Sequence, residues 1–295
     1  MTYLAFGLFI ASDLDFSDML QESTVAANIS IDKGQIVTQK FESSNVFRKG
    51  LQAGISIKQE TIFLHWEGLM SCEIKNGTEI IYDHLGDDVQ TLKLFLLSEA
   101  IGILMAQRGF YLLPGSAVLI NESAHVFIGE PGAGKSTTAA AFWKAGFTVL
   151  TDDLVAIEMN NDQAFVIPAF PQFKIWEHAV HGLGINQSEL QASFEGHTKF
   201  LLSQNKKSFP SSPIPLKSIQ ILSNVPIKHR INPLEAPIEL VKHFPLPNQL
   251  LHGELHNKHF KDSLKLYSIV KIQRLQRPEG FDNLMEYIKH YSNEA

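Results

Sequence analysis

The stretch Gly129-Glu130-Pro131-Gly132-Ala133-Gly134-Lys135-Ser136 restricts most strongly what this 295-residue chain can fold into. Glycines at 129, 132 and 134 break regular structure, and G-x-x-x-x-G-K-S requires backbone that curls through conformations only glycine adopts cheaply. The apolar run Val126-Phe127-Ile128 before it reads as a buried strand, and Thr137 to Trp143 after it as a helix stopped by Gly146. Between strand and helix, such a loop turns successive N–H groups inward and adds the positive end of the helix dipole. That is a cradle for phosphate oxygens. Gly129, Glu130, Pro131, Gly132, Ala133, Gly134, Lys135, Ser136 and Thr137 are therefore the expected nucleotide-binding residues. Lys135 is placed to reach β- and γ-phosphates, and Ser136 to offer its hydroxyl to Mg²⁺. A glycine turn of no function is the alternative, and the strand and helix in register on either side argue against it.

A second element follows. Phe147 to Leu150 reads as a strand ending in Thr151-Asp152-Asp153, with Asp152 seventeen residues after Lys135. Two carboxylates at the end of a strand beside such a loop lie near the γ-phosphate and its metal. One can hold Mg²⁺, and the other can accept the proton of an attacking hydroxyl. Adjacent acids repel, so a cation between them relieves the strain. An acidic cap on a loop after a buried strand is the simpler reading, and it stays open.

The rest of the chain sets the frame. With 44 % hydrophobic residues a full core is available, and the length suits one large or two ordinary domains. A net charge of -6 argues against a general nucleic-acid or anionic-membrane binder. The single cysteine, Cys72, excludes an internal disulfide framework and suits a reducing, cytoplasmic setting, and no basic leader precedes the first apolar residues. The longest apolar window, Leu92 to Ala106, contains Lys93 and Glu99 and is expected to fall short of a membrane span.

The first ~85 residues read as short strands between turns. Tyr3 to Ser12 is one expected strand; Thr61 to Trp66, Met70 to Lys75 and Thr78 to Asp83 are others, with a two-residue hairpin turn at Asn76-Gly77. Asp87-Asp88 opens a helix that Gly109 ends, Ser116 to Ile120 and His125 to Ile128 are strands, and a stripe of Phe281, Leu284, Met285, Ile288 and Tyr291 closes the chain as a helix. The expected division is a β-rich domain over 1–87 and a nucleotide-binding domain over 88–295.

Taken together, Ser116-Ala117-Val118, the loop Gly129 to Ser136 and the segment Gly146 to Val155 resemble the C-terminal catalytic domain of HPr kinase/phosphorylase and its relatives. The resemblance is specific over residues 109–158. Residues 1–87 look unlike that family's regulatory domain and more like the N-terminal region of HPr-kinase-like proteins of modified-peptide pathways. The resemblance implies an α/β fold: a P-loop domain of the phosphoenolpyruvate-carboxykinase-like type beside a smaller β-rich domain. It implies ATP and Mg²⁺ as cofactors, Asp153 as the base that activates a serine, and Asp152 as its metal-side neighbour. The expected partner is a peptide or protein carrying that serine, and a homo-oligomer is compatible with the likeness. Two positions depart from the family. Pro114 stands where many relatives have a histidine, and His181 where true HPr kinases have an arginine before Gly-Leu-Gly. They argue against the reversible phosphorolysis and HPr recognition of the true enzymes; Pro114 favours a switch or scaffold, and the intact Asp152-Asp153 pair favours kinase chemistry on a different acceptor. A nucleotide-binding switch, an ATPase-like scaffold and a small-molecule hydroxyl kinase remain alternatives.

Fainter signals accompany these. In Pro168 to Trp176, Lys174 could touch nucleotide phosphate and Trp176 line the site; a packed proline-rich loop explains them equally well. Lys199, Lys206 and Lys207 could form a lid, against a solvated loop as the plainer reading. His252, Glu254, His256 and His259 have the spacing of a zinc site on a helix, but an exposed histidine-rich segment is the stronger reading. Lys258 to Arg277 is basic and could steer an acidic peptide. Only five arginines exist, at 48, 108, 230, 274 and 277, so Arg230, Arg274 and Arg277 are the candidates for assisting transfer.

Overall fold

A computed structural model describes residues 1–37, 39–48, 50–186, 188, 190–192, 199–223 and 231–294. It is a mixed α/β protein with several sheets, and its chain divides into two compact units. Met1–Phe110 with Leu246–Asn257 form the first, and Tyr111–Pro245 with Lys258–Ala295 the second.

The first unit is built on a nine-stranded sheet. Ile29–Lys33 pairs in parallel with Leu8–Ser12 and with Glu79–His84, and the remaining pairings are antiparallel. The single strand expected over Tyr3 to Ser12 is two, Thr2–Ala5 and Leu8–Ser12, because Phe6 and Gly7 both take positive φ (51° and 65°) and fold the apolar run into a hairpin. The turn at Asn76-Gly77 is present, also with two positive φ values, but Lys75 pairs with Glu79, so Thr78 joins the loop.

The helical segment Val89–Gln107 begins where the sequence places it. Asp88 caps it, accepting from the Thr91 N–H at 3.0 Å, and Gly109 ends it at φ 87°. Its middle turn, Leu96–Ala100, is a π-helix. This segment, assigned from sequence to the second domain, groups with the first unit, because its apolar face packs on that sheet. Phe95 lies 4.9 Å from Trp66, ring to ring. By length and composition the segment could cross a membrane, in contrast to the sequence expectation, but 78 % of the apolar window is buried within the protein. Lys93 reaches Asp18 at 2.8 Å and Glu99 pairs with Arg48, so its two charges are compensated.

In the second unit the sequence alternates so as to bury both faces of one sheet. Val126 and Ile128 face a cluster with Ala236, Leu240 and Leu266, while Phe127 faces the opposite cluster with Phe142, Leu284 and Ile288. Helix Glu235–Lys242 and the part of Gly253–Ile269 from Lys258 onward therefore cover one face, and Lys135–Lys144 and Phe281–Glu294 the other. Strand direction then fixes where function can sit. Ser123–Ile128, Ile214–Ser223 and Lys271–Gln276 are mutually parallel. Gly115–Ile120 runs antiparallel to both Ser123–Ile128 and Thr148–Thr151, so those two also point the same way. Four strands thus deliver their C-terminal ends to one edge, which is where an α/β sheet binds its ligands.

Thr148–Thr151 is the outermost strand of this sheet. At Val149 a side chain stands in for a neighbouring strand: the Val149 N–H donates to Gln204 Oε1 at 2.9 Å, and Gln204 Nε2 donates to the Val149 carbonyl at 2.8 Å, while the next carbonyl, of Leu150, accepts from the Ala169 N–H at 2.9 Å.

One prediction concerns the helix start. Asp88→Ala should destabilise the protein by about 1 kcal/mol, the usual value of a side-chain cap. Chemical denaturation checks it, with Asp88→Asn, which retains an acceptor, expected to recover most of the loss.

Candidate active site

The strand Ser123–Ile128 leads directly into the glycine loop. Gly129, Gly132 and Gly134 take φ of 149°, 84° and 92°. A Cβ at 129 would lie 2.8 Å from the Leu222 carbonyl oxygen, so that position excludes any side chain on space as well as on φ. The helix Lys135–Lys144 follows with Gly134 as its N-cap, and no side chain caps its first turn. Its leading N–H groups and dipole are left for an anion. Gly129 and Ala133 are buried, while Glu130, Pro131 and Gly132 are exposed at the rim. Thr137 is buried one turn in.

Lys135 Nζ folds back to donate to the carbonyls of Gly129 at 2.8 Å and Glu130 at 3.2 Å. Burial lowers the pKa of its ammonium, against the opposing pull of Asp152, Asp153 and Glu130.

Asp152 and Asp153 follow Thr151 at the same edge. Asp152 Oδ1 accepts from Ser116 Oγ at 2.6 Å and from Ser136 Oγ at 3.0 Å, whereas Oδ2 is buried and has no hydrogen-bond partner among the described residues. Burial pushes the Asp152 carboxyl up to about 6; the Asp153 charge adds to that rise, and the two serine hydroxyls and Lys174 oppose it. Asp153 sits at φ 70°, a left-handed conformation that aspartate tolerates better than most residues. Lys174 Nζ holds Asp153 Oδ2 at 3.0 Å.

Lys174 belongs to a three-stranded sheet of Gln172–Trp176, Lys199–Ser203 and Leu190–Ala192. Pro168 to Trp176 is therefore a loop and then a strand, its Phe173 and Ile175 in the core and its Lys174 and Trp176 on the other side. Lys199 lies opposite Trp176 in register and places Nζ 4.4 Å from the indole centroid. A cavity of about 510 Å³ collects these groups. Pro131, Gly132, Gly134 to Thr137, Asp153, Lys174, Trp176, His178, Lys199 and Arg277 line it.

Of the expected residues, Pro131, Gly132, Gly134, Lys135, Ser136, Thr137 and Asp153 line the cavity; Asp152 lies behind it on Ser136, and Gly129, Glu130 and Ala133 complete the loop without lining it. Sequence reading named Lys174, Trp176 and Lys199 only as faint signals, gave Ser116 no part in the site, and missed His178, for which no local pattern exists. Lys206 and Lys207 do not line the cavity. Arg274 is turned away, toward Glu235 and Glu239, both at 3.4 Å. Arg230 and the Glu254 side chain lie outside the described residues. The histidine cluster does not assemble. His252 and His256 are exposed, His259 is stacked on Tyr111 at 4.4 Å, and among the described residues no group of three or more metal-ligating side chains occurs.

No family model and no curated sequence matches the chain. Among solved structures, the Hpr(Ser) kinase/phosphatase from Coxiella burnetii is similar over 42 % of this chain and 71 % of that one, at 16 % identity and a TM-score of 0.27. Similarity at that level is too low to transfer a fold or an activity.

The raised Asp152 pKa has a sign that can be tested. Between the ordinary carboxylate range and about 6 the native state keeps a proton that the unfolded chain has released. Stability therefore falls as pH rises through that window and levels off above it. Thermal melts should show this decline in the wild type and its loss in Asp152→Asn. Parallel profiles for the two proteins would exclude a buried, charge-loaded Asp152.

Proposed function

We propose that the chain is an ATP- and Mg²⁺-dependent kinase that moves the γ-phosphoryl group to a hydroxyl, with a serine of a peptide or protein as the favoured acceptor. The observation that carries this reading is one cavity lined by an uncapped helix N-terminus, Lys135, Ser136 and Asp153, with Asp152 buried behind it and hydrogen-bonded to Ser136. In this reading the second unit is a P-loop domain of the HPr kinase type, the first a β-rich accessory domain, and the setting cytoplasmic.

The residues divide the chemistry. Loop N–H groups and Lys135 bind the phosphates. Lys135 then exchanges its two loop carbonyls for phosphate oxygens. Ser136 Oγ and the unpartnered Asp152 Oδ2 fit a magnesium ion, which when bound would neutralise charge on the phosphates. Asp153, oriented by Lys174, takes the proton of the acceptor hydroxyl. The hydroxyl oxygen bonds to γ-phosphorus, the bond from phosphorus to the β–γ bridging oxygen breaks, and ADP leaves with that electron pair.

A second reading, a nucleotide-binding switch without transfer, is favoured by the Lys174–Asp153 ion pair, which occupies the carboxylate a base must free.

Incubation with γ-labelled ATP and Mg²⁺ separates the readings by where the label goes: to serine peptides, to a small hydroxyl compound, to water, or nowhere. We expect peptide. Lys135→Ala should abolish Mg-ATP binding, because backbone dipoles alone do not balance the β/γ charge. Asp153→Asn should keep nucleotide affinity while transfer falls by roughly 10²–10⁴-fold. Asp152→Asn should recover in part at raised magnesium. Wild-type transfer by Asp153→Asn would refute the base, and unchanged binding by Lys135→Ala would refute the site.

A further inference from the structure

Arg277 follows directly on the parallel strand Lys271–Gln276, and its N–H donates to the Ser223 carbonyl at 3.1 Å. That bond fixes it between the ends of two strands, beside the glycine loop. Its stem lies flat on the loop: a Cβ at residue 134 would come within 2.7 Å of Arg277 Nε and 2.8 Å of Cδ. Glycine at 134 is thus required both by its φ of 92° and by this side chain. Nε is buried, and among the described residues neither it nor the rest of the guanidinium meets an acceptor. The guanidinium lines the same cavity as Lys135, Ser136 and Asp153.

The other described arginines are committed elsewhere. Arg48 pairs with Glu99, Arg108 donates to the Gly77 carbonyl at 3.0 Å, and Arg274 is held by Glu235 and Glu239. A guanidinium with a desolvated Nε and no anion is costly, and it gains most from a partner with several oxygens in a plane it can bridge. Such a group borders the loop from the side of a neighbouring strand.

We propose that Arg277 is an arginine supplied in cis to the terminal phosphate of the bound nucleoside triphosphate. It distinguishes triphosphate from diphosphate and stabilises charge on the phosphoryl group as the bond to the β–γ bridging oxygen breaks and the acceptor oxygen bonds to phosphorus. This rests on the kinase reading above, and it adds a discriminating contact that the loop pattern does not contain.

The test compares Mg-ADP with Mg-AMPPNP binding, and measures release or transfer of γ-label, in wild type, Arg277→Ala, Arg277→Lys and Arg277→Gln. Arg277→Ala should bind Mg-ADP within about threefold of wild type but lose the wild-type preference for Mg-AMPPNP, and its turnover of γ-label should fall roughly 10²–10³-fold. Arg277→Lys should recover only part, since an ammonium lacks the planar fork. Added guanidinium ion should restore turnover to Arg277→Ala, which a purely structural role would not allow. Should Arg277→Ala fail to fold, Arg277→Gln keeps the stem and is expected to show the same loss. Equal losses for both nucleotides would overturn the terminal-phosphate assignment, as would wild-type turnover in any folded variant lacking the guanidinium. Wild type that binds neither nucleotide would instead refute the kinase reading itself.

Discussion

One carboxylate oxygen ties the site together. Asp152 Oδ1 accepts two hydroxyl hydrogen bonds, from Ser116 on one strand and Ser136 on the loop helix, while Asp152 itself closes a third element. Three segments distant in sequence are clamped at the point where four strands end together. The second oxygen has no partner among the described residues, and an unsatisfied buried acceptor costs about 1–3 kcal/mol. The same carboxylate thus joins three elements through one oxygen and leaves the other unsatisfied, with its pKa raised by burial and by an adjacent acid.

The charge pattern follows the same logic. The chain as a whole carries a net charge of -6, yet Lys135, Lys174, Lys199 and Arg277 converge on one concave surface. A positive pocket in an acidic protein focuses its field on small anions while the remaining surface repels polyanions. The internal contacts of Lys135 with its own loop and of Lys174 with Asp153 keep these like charges from repelling one another in the meantime.

How much of this was readable beforehand depended on whether the cause was local. The glycine loop is local: its φ values demand glycine within eight consecutive residues. The Asp88 cap and the turn at Asn76-Gly77 are local too; loop and cap stand where the sequence puts them, and the turn does so with Thr78 added to it. Lys174, Trp176 and Lys199 reach the cavity through strand pairing between residues more than twenty positions apart, and nothing near any one of them announces the register. The split at residue 87 misplaced the helix Val89–Gln107 for a similar reason. Cap residues mark where a helix starts, but the sheet its apolar face selects is a tertiary matter, decided here by contacts such as Phe95 on Trp66. In Thr2 to Ser12 the apolar run hid a turn, because only Gly7 hinted that Phe6 would take a positive φ.

The acid pair hangs from the outermost strand of its sheet, the position most exposed to unwanted pairing with another chain. Gln204 presents to Val149 the same donor and acceptor that a neighbouring strand would present. A single amide side chain thus impersonates a missing strand. Val149 has its backbone donor and acceptor both taken on that border, and Asp153, beyond Thr151, lines the cavity and faces an incoming molecule without offering it a backbone ladder.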